Sequence, residues 1–368
     1  MRFGCIAHNL VHYSGSILEA KKMKKSLYIL FFVLLFELFL PGRGSAGYYP
    51  GKIWRTVNSP EEAGWSSRKL SLVQQNANRM NSVGGMVLYD GKILCKWGNI
   101  EERSNIHSAR KSLLSALYGI YVSDGKINLS KTMGQLGVDD KEPRLSSQEK
   151  QARIIDLLEA RSGVYHHAAA ETRNMKEKMP KRGSHEPGTF WFYNNWDFNT
   201  LGVIFEKLTG KKIGVAFRNR IATPIGMQDF RTQDVSYAYC KESLFPAYLF
   251  NLTVRDMARF GLLYMRNGRW LDKQVVPGDW VVKSTTYYSR ASGGMGYGYM
   301  WWVGKKDILG VRINYQAYCA IGNGGNFIIV FPTKKLVVVN KSRPDKKDRS
   351  GIKKFKPLLK LILADNLN

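Results

Sequence analysis

Acidic side chains are scarce in this chain. Its 368 residues carry 29 Asp plus Glu against 56 Lys plus Arg, a formal net charge of +27. A surface so short of acid suits an anionic partner. The cations are spread along the chain apart from small clusters such as Lys21-Lys22-Met23-Lys24-Lys25, and no zinc-finger, basic-zipper or RNA-recognition signature accompanies them. Nucleic acid is therefore not the expected partner. Anionic envelope polymers or a membrane surface stay open, as does a general lysine bias with no partner at all. Cysteine is also sparse. Of four, Cys5 lies ahead of the first apolar run, and Cys95, Cys240 and Cys319 have no C-x-x-C spacing. That excludes a disulfide framework and a zinc-ribbon site, although Cys95 and Cys319 both fall in strand-like segments and a contact between them is conceivable. Three of the six histidines, His166, His167 and His185, crowd one stretch at a spacing that makes no metal site. No metal and no cofactor are expected. Short repeat periods are absent, which excludes solenoids and propellers.

Long apolar runs are absent too, with one exception. Ser26 to Leu40 (SLYILFFVLLFELFL) follows the basic cluster and precedes Pro41, Gly42 and the small residues Gly44, Ser45 and Ala46. A positive n-region, a short apolar core and a small-residue exit form a secretory signal, with cleavage after Ala46. The run is short for the ~20 residues of a membrane span, so an uncleaved inner-membrane anchor is the alternative to a periplasmic or secreted product. Translation from Met1 or from Met23 fits equally.

What is present reads as an ordinary globular chain: 44% hydrophobic, 12% aromatic and 23% charged residues. Ser67 to Asn81 has the period of an amphipathic helix. Two β-rich runs within Met86 to Trp97 meet at Asp90-Gly91, a two-residue hairpin signal. Helical patterns follow at Ser108–Val122, Lys150–Glu159, Asn199–Leu208, Lys212–Arg220 and Thr253–Arg266. Strands return at Tyr297–Val303, Asn314–Ala320, Asn326–Phe331 and Lys335–Asn340, and a helix near Ile352–Ala364 ends the chain. This order predicts an α+β fold: an antiparallel sheet flanked by helices, its strands drawn from both ends of the chain, with a mostly helical lobe inserted. Residues 1–46 form the signal peptide or N-terminal extension, 47–110 with 286–368 the α/β lobe, and 111–285 the helical lobe.

Three short motifs carry chemistry. Ser108-Ala109-Arg110-Lys111 opens a helix and sets a lysine one turn beyond a serine. A serine hydroxyl needs a base to become a nucleophile, and lysine can serve when burial or a cationic neighbour lowers its pKa. On its own the spacing also fits a cap followed by a solvated lysine. Tyr193-Asn194-Asn195 follows a Pro187-Gly188-Thr189 loop. Its phenol could relay a proton and Asn195 could hold the lysine, or the tripeptide could be an aromatic anchor beside Trp191, Phe192 and Trp196. Gly322-Asn323-Gly324-Gly325-Asn326 leads into a strand, where glycines let a substrate approach an edge closely. It could equally be a plain turn.

In this order the three motifs resemble the serine β-lactamase and penicillin-binding-protein superfamily, and most of all its class C β-lactamase-like branch, which includes esterases and 6-aminohexanoate-dimer hydrolases. Ser59-Pro60-Glu61-Glu62-Ala63-Gly64, Arg161-Ser162-Gly163, the run from Leu252 to Gly261 and Tyr297-Gly298-Tyr299-Met300-Trp301-Trp302 extend the likeness over roughly residues 58–340. The resemblance implies the β-lactamase/transpeptidase-like fold, Ser108 as acylated nucleophile, Lys111 as base, Tyr193 as proton relay and Asn195 as the residue orienting Lys111. It places the third motif on Asn323-Gly324-Gly325, with Asn326 as second oxyanion donor. The family's cation at that motif is here the neutral Asn323. The expected activity is thus an exported serine hydrolase acting on a small-molecule or peptide ester or amide. A β-lactamase, a D,D-peptidase, or a non-catalytic envelope-polymer binder of the same fold are the alternatives. Residues 131–150 and 164–187 are the expected pocket walls. Expression in a Gram-negative host should yield a periplasmic product whose N-terminal sequencing starts near Gly47; a membrane-bound product starting at Met1 or Met23 would establish the anchor instead.

Overall fold

A computed structural model describes residues 47–80, 82–343 and 351–364. The signal segment expected at 1–46 lies outside the described residues. The organising element is an eight-stranded sheet. Its strands are β1 (Ser82–Tyr89), β2 (Lys92–Gly98), β3 (Ser289–Arg290), β4 (Gly296–Tyr297), β5 (Trp302–Gly304), β6 (Ala317–Gly322), β7 (Asn326–Phe331) and β8 (Leu336–Ser342). They lie in the order β2-β1-β8-β7-β6-β5-β4-β3, with every pairing antiparallel. The first hairpin pivots on Asp90 and Gly91, both at positive φ (47° and 89°), the paired left-handed geometry that matches strand twist. The N-terminal hairpin then pairs with the C-terminal strand β8, so the two ends of the chain close one sheet.

The central strands are apolar without interruption because the sheet is covered on both faces. In β7, Phe327, Ile329 and Phe331 face one hydrophobic cluster, while Ile328 and Val330 face another. The first cluster is completed by the helices α1 (Ser67–Asn78) and α5 (Gly351–Leu363), through Leu70, Val73, Phe355, Leu358 and Ile362. The second contains α2 (Arg110–Ser123), α3 (Asn195–Thr209) and α4 (Val254–Met265). Helix α4 lies tight on the sheet: a Cβ at Gly261 would sit 2.5 Å from Val337 Cγ1. Helix α2 is buried on nearly every side, which is why its sequence shows no polar stripe.

Several sequence expectations shift here. The run read as one strand over Tyr297–Val303 is the β4–β5 hairpin, because Gly298 N–H bonds Trp301 O at 2.8 Å and turns the chain. The helix expected from Lys150 shortens to Ile154–Leu158 after a 3₁₀ turn at Glu149–Gln151. A small sheet pairs Ala247–Leu252 and Val235–Ala238, both within the segment expected to be mostly helical, with Ser104–Asn105 from the other lobe. Its edge strands are only two and four residues long and one of them is remote in sequence, so local periodicity carried little sign of it. Cys95 and Cys319 are free and buried, on β2 and β6. Three strands (β1, β8 and β7) lie between them. At ~4.8 Å per strand that separation excludes a contact between them.

One close approach positions everything that follows. Gly322, the last residue of β6, packs against the turn before α2, where a Cβ would lie 2.1 Å from Ile106 O. Gly322→Ala should force the hairpin and that turn apart, lowering stability by ~1–3 kcal/mol. Urea denaturation reads this directly; an unchanged midpoint would mean the two backbones part without cost.

Candidate active site

Ser108 sits in a 3₁₀ turn, His107–Ala109, at the mouth of buried helix α2. His107 holds a left-handed backbone, φ 51°, unusual for a residue with a Cβ. The turn is braced on both sides: His107 N–H donates to Asn105 Oδ1 at 2.7 Å, and Arg110 Nη1 donates to His107 O at 3.2 Å. This geometry presents Ser108 to a cavity of about 430 Å³.

Lys111, one turn further along, is 1% exposed. Its Nζ lies 2.8 Å from Ser108 Oγ and 2.7 Å from Tyr193 OH. The rings of Tyr193 and Phe198 stand 4.6 and 4.7 Å from the same atom. Among the described residues no carboxylate pairs with it. Burial, followed by repulsion from Arg110, holds its pKa well below the usual lysine value. Arg110 is itself 2% exposed, with Nε and Nη2 unpartnered and its guanidinium 5.1 Å from the Tyr248 ring. An arginine yields its proton less readily than a lysine, so of two adjacent buried cations the lysine is the one that becomes neutral. A neutral amine 2.8 Å from a serine hydroxyl can accept its proton. Burial pushes the Tyr193 phenol up to about 12, against opposing pulls from Ser108 and Arg110. It therefore stays protonated and can donate. Arg110 was not anticipated from the sequence as a functional residue; a second cation inside the S-x-x-K spacing was the available signal.

The third motif forms the turn between β6 and β7. Asn323, Gly324 and Gly325 line the cavity, the two glycines at φ 78° and 103°. Asn326 Nδ2 donates to Asn323 O at 2.8 Å and Asn340 Nδ2 to Gly325 O at 2.6 Å, which holds the turn from behind. The expectation for Asn326 is corrected. It is fully buried and does not line the cavity. Bonded and non-bonded pairs alternate along an antiparallel ladder. Counting from the Gly298–Trp301 bond, Trp302 turns its N–H toward Cys319, and Gly322 exchanges bonds with Asn326. By that parity the N–H groups of Ile321 and Asn323 turn to the free edge beyond β5, and both residues line the cavity together with Ser108.

Asn195 is corrected as well. It opens α3, but its Nδ2 donates to Ala170 O at 2.6 Å and Ala169 O at 3.4 Å, and its Oδ1 is buried without a partner. It tethers a loop and makes no bond to Lys111. Of the two expected walls, the second contributes through Thr172, Asn174, Met175 and Lys178, while 131–150 contributes nothing to the cavity. That segment packs behind, where Asp140 Oδ2 accepts from Trp196 Nε1 and Ser243 Oγ, each at 2.7 Å. Trp302 and Phe192 add apolar lining, and Trp302 stands 5.5 Å from the Tyr193 ring. The three histidines part company: His166 faces Glu149, His167 faces Glu171, and His185 stacks on Phe190.

The family model described as Beta-lactamase matches residues 71–351. Among solved structures, a Bacillus anthracis protein described as a 6-aminohexanoate-dimer hydrolase is similar at TM-score 0.60 and 19% identity, covering 80% of each chain. An octameric penicillin-binding protein homologue from Pyrococcus abyssi gives 0.60 and 18%, covering 81% of this chain and 77% of that one. A D-stereospecific amidohydrolase from a Streptomyces species gives 0.55 and 15%, covering 79% and 98%. At these identities the likeness is one of fold. No relative was found among curated proteins.

Arg110 tests the electrostatics of the site. Arg110→Met removes the neighbouring charge at similar volume, so the pKa of Lys111 should rise. The neutral amine would then predominate only at higher pH. The pH midpoint for covalent labelling of Ser108 by a fluorophosphonate should therefore move upward and the rate at pH 7 should fall. A midpoint that stays put would show that burial alone depresses Lys111.

Proposed function

The chain belongs to the Beta-lactamase family, and from that premise we propose that it is an exported serine hydrolase that cleaves an ester or amide through a Ser108 acyl-enzyme. The observation that carries this reading is the buried Lys111 amine set between Ser108 Oγ and Tyr193 OH at the mouth of the cavity.

The steps follow from that geometry. Neutral Lys111 takes the Ser108 proton as Oγ attacks the substrate carbonyl carbon. The oxyanion forms against the Ser108 N–H and the outward N–H groups of the β6 edge, Ile321 and Asn323, donors already oriented by the α2 turn and the strand. As the tetrahedral intermediate collapses, the C–O or C–N bond breaks, and the proton held by Lys111 passes through Tyr193 to the leaving group. Water then attacks the acyl-enzyme with the same base, releasing the acid and restoring Ser108. Export rests on the N-terminal signal pattern. Among the described residues no helix is long and apolar enough to cross a membrane.

Asn323 shapes the choice of substrate. The motif cation expected to support β-lactam and D-Ala-D-Ala recognition is missing there, so esters or simple amides suit the site better than cephalosporins. Ser108→Ala should abolish fluorophosphonate labelling and turnover of p-nitrophenyl esters while circular dichroism stays unchanged. Lys111→Ala should cost ~10²–10⁴-fold or more in acylation rate. Persistent labelling of folded Ser108→Ala protein would remove Ser108 from the role. A wild type that hydrolyses a chromogenic cephalosporin faster than esters would return the protein to the β-lactamase reading.

A further inference from the structure

The cavity holds one basic side chain among its described lining residues, and it comes from neither the hairpin nor α2. It is Lys178. Its Nζ has no hydrogen bond or ion pair among the described residues. The nearest carboxylates in sequence are engaged elsewhere: Glu177 with Arg173 at 2.6 Å and Glu171 with His167 at 3.1 Å. Among the described residues no Asp or Glu lines the cavity; the other polar side chains there, among them Thr172, Asn174 and Asn323, are neutral.

The lysine is also placed, although it is exposed. Asn195 Nδ2 and Asn199 Nδ2 hold Ala169 O and Ala170 O from α3. Ala170 adopts φ 63°, so the chain turns sharply there. Thr172 then caps the short helix Arg173–Glu177, its Oγ1 accepting from Met175 N–H, and Lys178 follows as the C-cap. Tethering by two buried asparagines gives the wall a defined start on a rigid helix. Asn195, which leaves Lys111 alone, thereby acts on the substrate side of the cavity.

We propose that Lys178 is the anion-recognising residue of this cavity and that the substrate bears a carboxylate besides its scissile bond; this rests on the serine-hydrolase reading above. Lys178 belongs to a different chain segment from Asn323 and so offers an anion a different position from the one at which the motif cation would meet a β-lactam carboxylate. Among the described lining residues Lys178 is the one cation, and its apolar neighbours in the lining, Met175, Phe192 and Trp302, fit it to a monocarboxylate on an apolar linker. The net charge of +27 favours the approach of such an anion.

Two matched pairs test this on the full-length protein. The first is mono-p-nitrophenyl adipate against p-nitrophenyl hexanoate, compared in kcat/KM. The second is adipamate against hexanamide, compared by titration calorimetry, which needs no catalysis. Wild type should favour the carboxylate member of each pair by about tenfold, the low end for a charge-assisted bond in a solvent-open site, and less at high salt. Lys178→Gln should abolish the preference, chiefly through a fall in kcat/KM for the adipate ester and in adipamate affinity, Lys178→Glu should reverse it, and Lys178→Arg should restore it. A wild type indifferent to the carboxylate, or a preference that survives Lys178→Gln, overturns the proposal. Absent turnover of both esters with adipamate selectivity intact would retire the hydrolase reading while supporting the anion subsite.

Discussion

The site depends on a buried cation pair that has no acid to neutralise it. Arg110 and Lys111 are adjacent, both nearly inaccessible, and no carboxylate offsets either of them among the described residues. Two full charges in that environment are unfavourable, and releasing one proton relieves both burial and repulsion. The lysine is the group that can release it. Helix α2 must therefore be enclosed on all sides, which requires the sheet beneath it, α3 and α4 around it, and a strand from the small sheet to bring Tyr248 against the guanidinium. The packing and the chemistry share one requirement: enclosing the helix excludes the water that would keep Lys111 protonated.

A second constraint is the distance of the β6–β7 hairpin from the α2 turn. Gly322 allows the two backbones to meet, while Asn326 and Asn340 hold the turn residues from the buried side. The result is an open strand edge at Ile321 beside Ser108. An edge of this kind is a liability in most sheets because its N–H groups invite pairing. Here its position in a cavity fits it to meet a substrate carbonyl.

Cavity composition separates two tasks. The Ser108–Lys111–Tyr193 set comes from the starts of α2 and α3, rigid elements anchored by bonds such as Tyr118 OH to Leu201 O at 2.7 Å. The polar wall at 172–178 belongs to a surface loop with a short helix, where changes of residue disturb little packing. Recognition can thus be altered on the loop while the reactive group stays as it is.

Much of this molecule was legible in the residues. Binary pattern marked α1, α4 and the β7–β8 hairpin, the Asp90-Gly91 turn marked the first hairpin, and three motifs pointed to Ser108, Lys111, Tyr193 and the Asn323 turn. These are local features, governed by side-chain period and turn chemistry within a few residues. The small sheet around Ala247–Leu252, the free edge at Ile321, the true partners of Asn195 and the arrival of Lys178 in the cavity were not legible. Each depends on which distant segments meet. The Tyr193-Asn194-Asn195 motif suggested that Asn195 holds Lys111, yet its amide turns to the Ala169–Ala170 carbonyls, because a buried donor goes to the acceptors within reach. Likewise the parity that hands the free N–H groups to Ile321 and Asn323 rather than Asn326 is set by one bond in the next hairpin, and a shift of a single residue would reverse it. The sequence by itself determined the chemical groups available and the elements that carry them. Only the tertiary structure decided their partners, because burial, pairing parity and the loss of water are properties of segments brought together from across the chain.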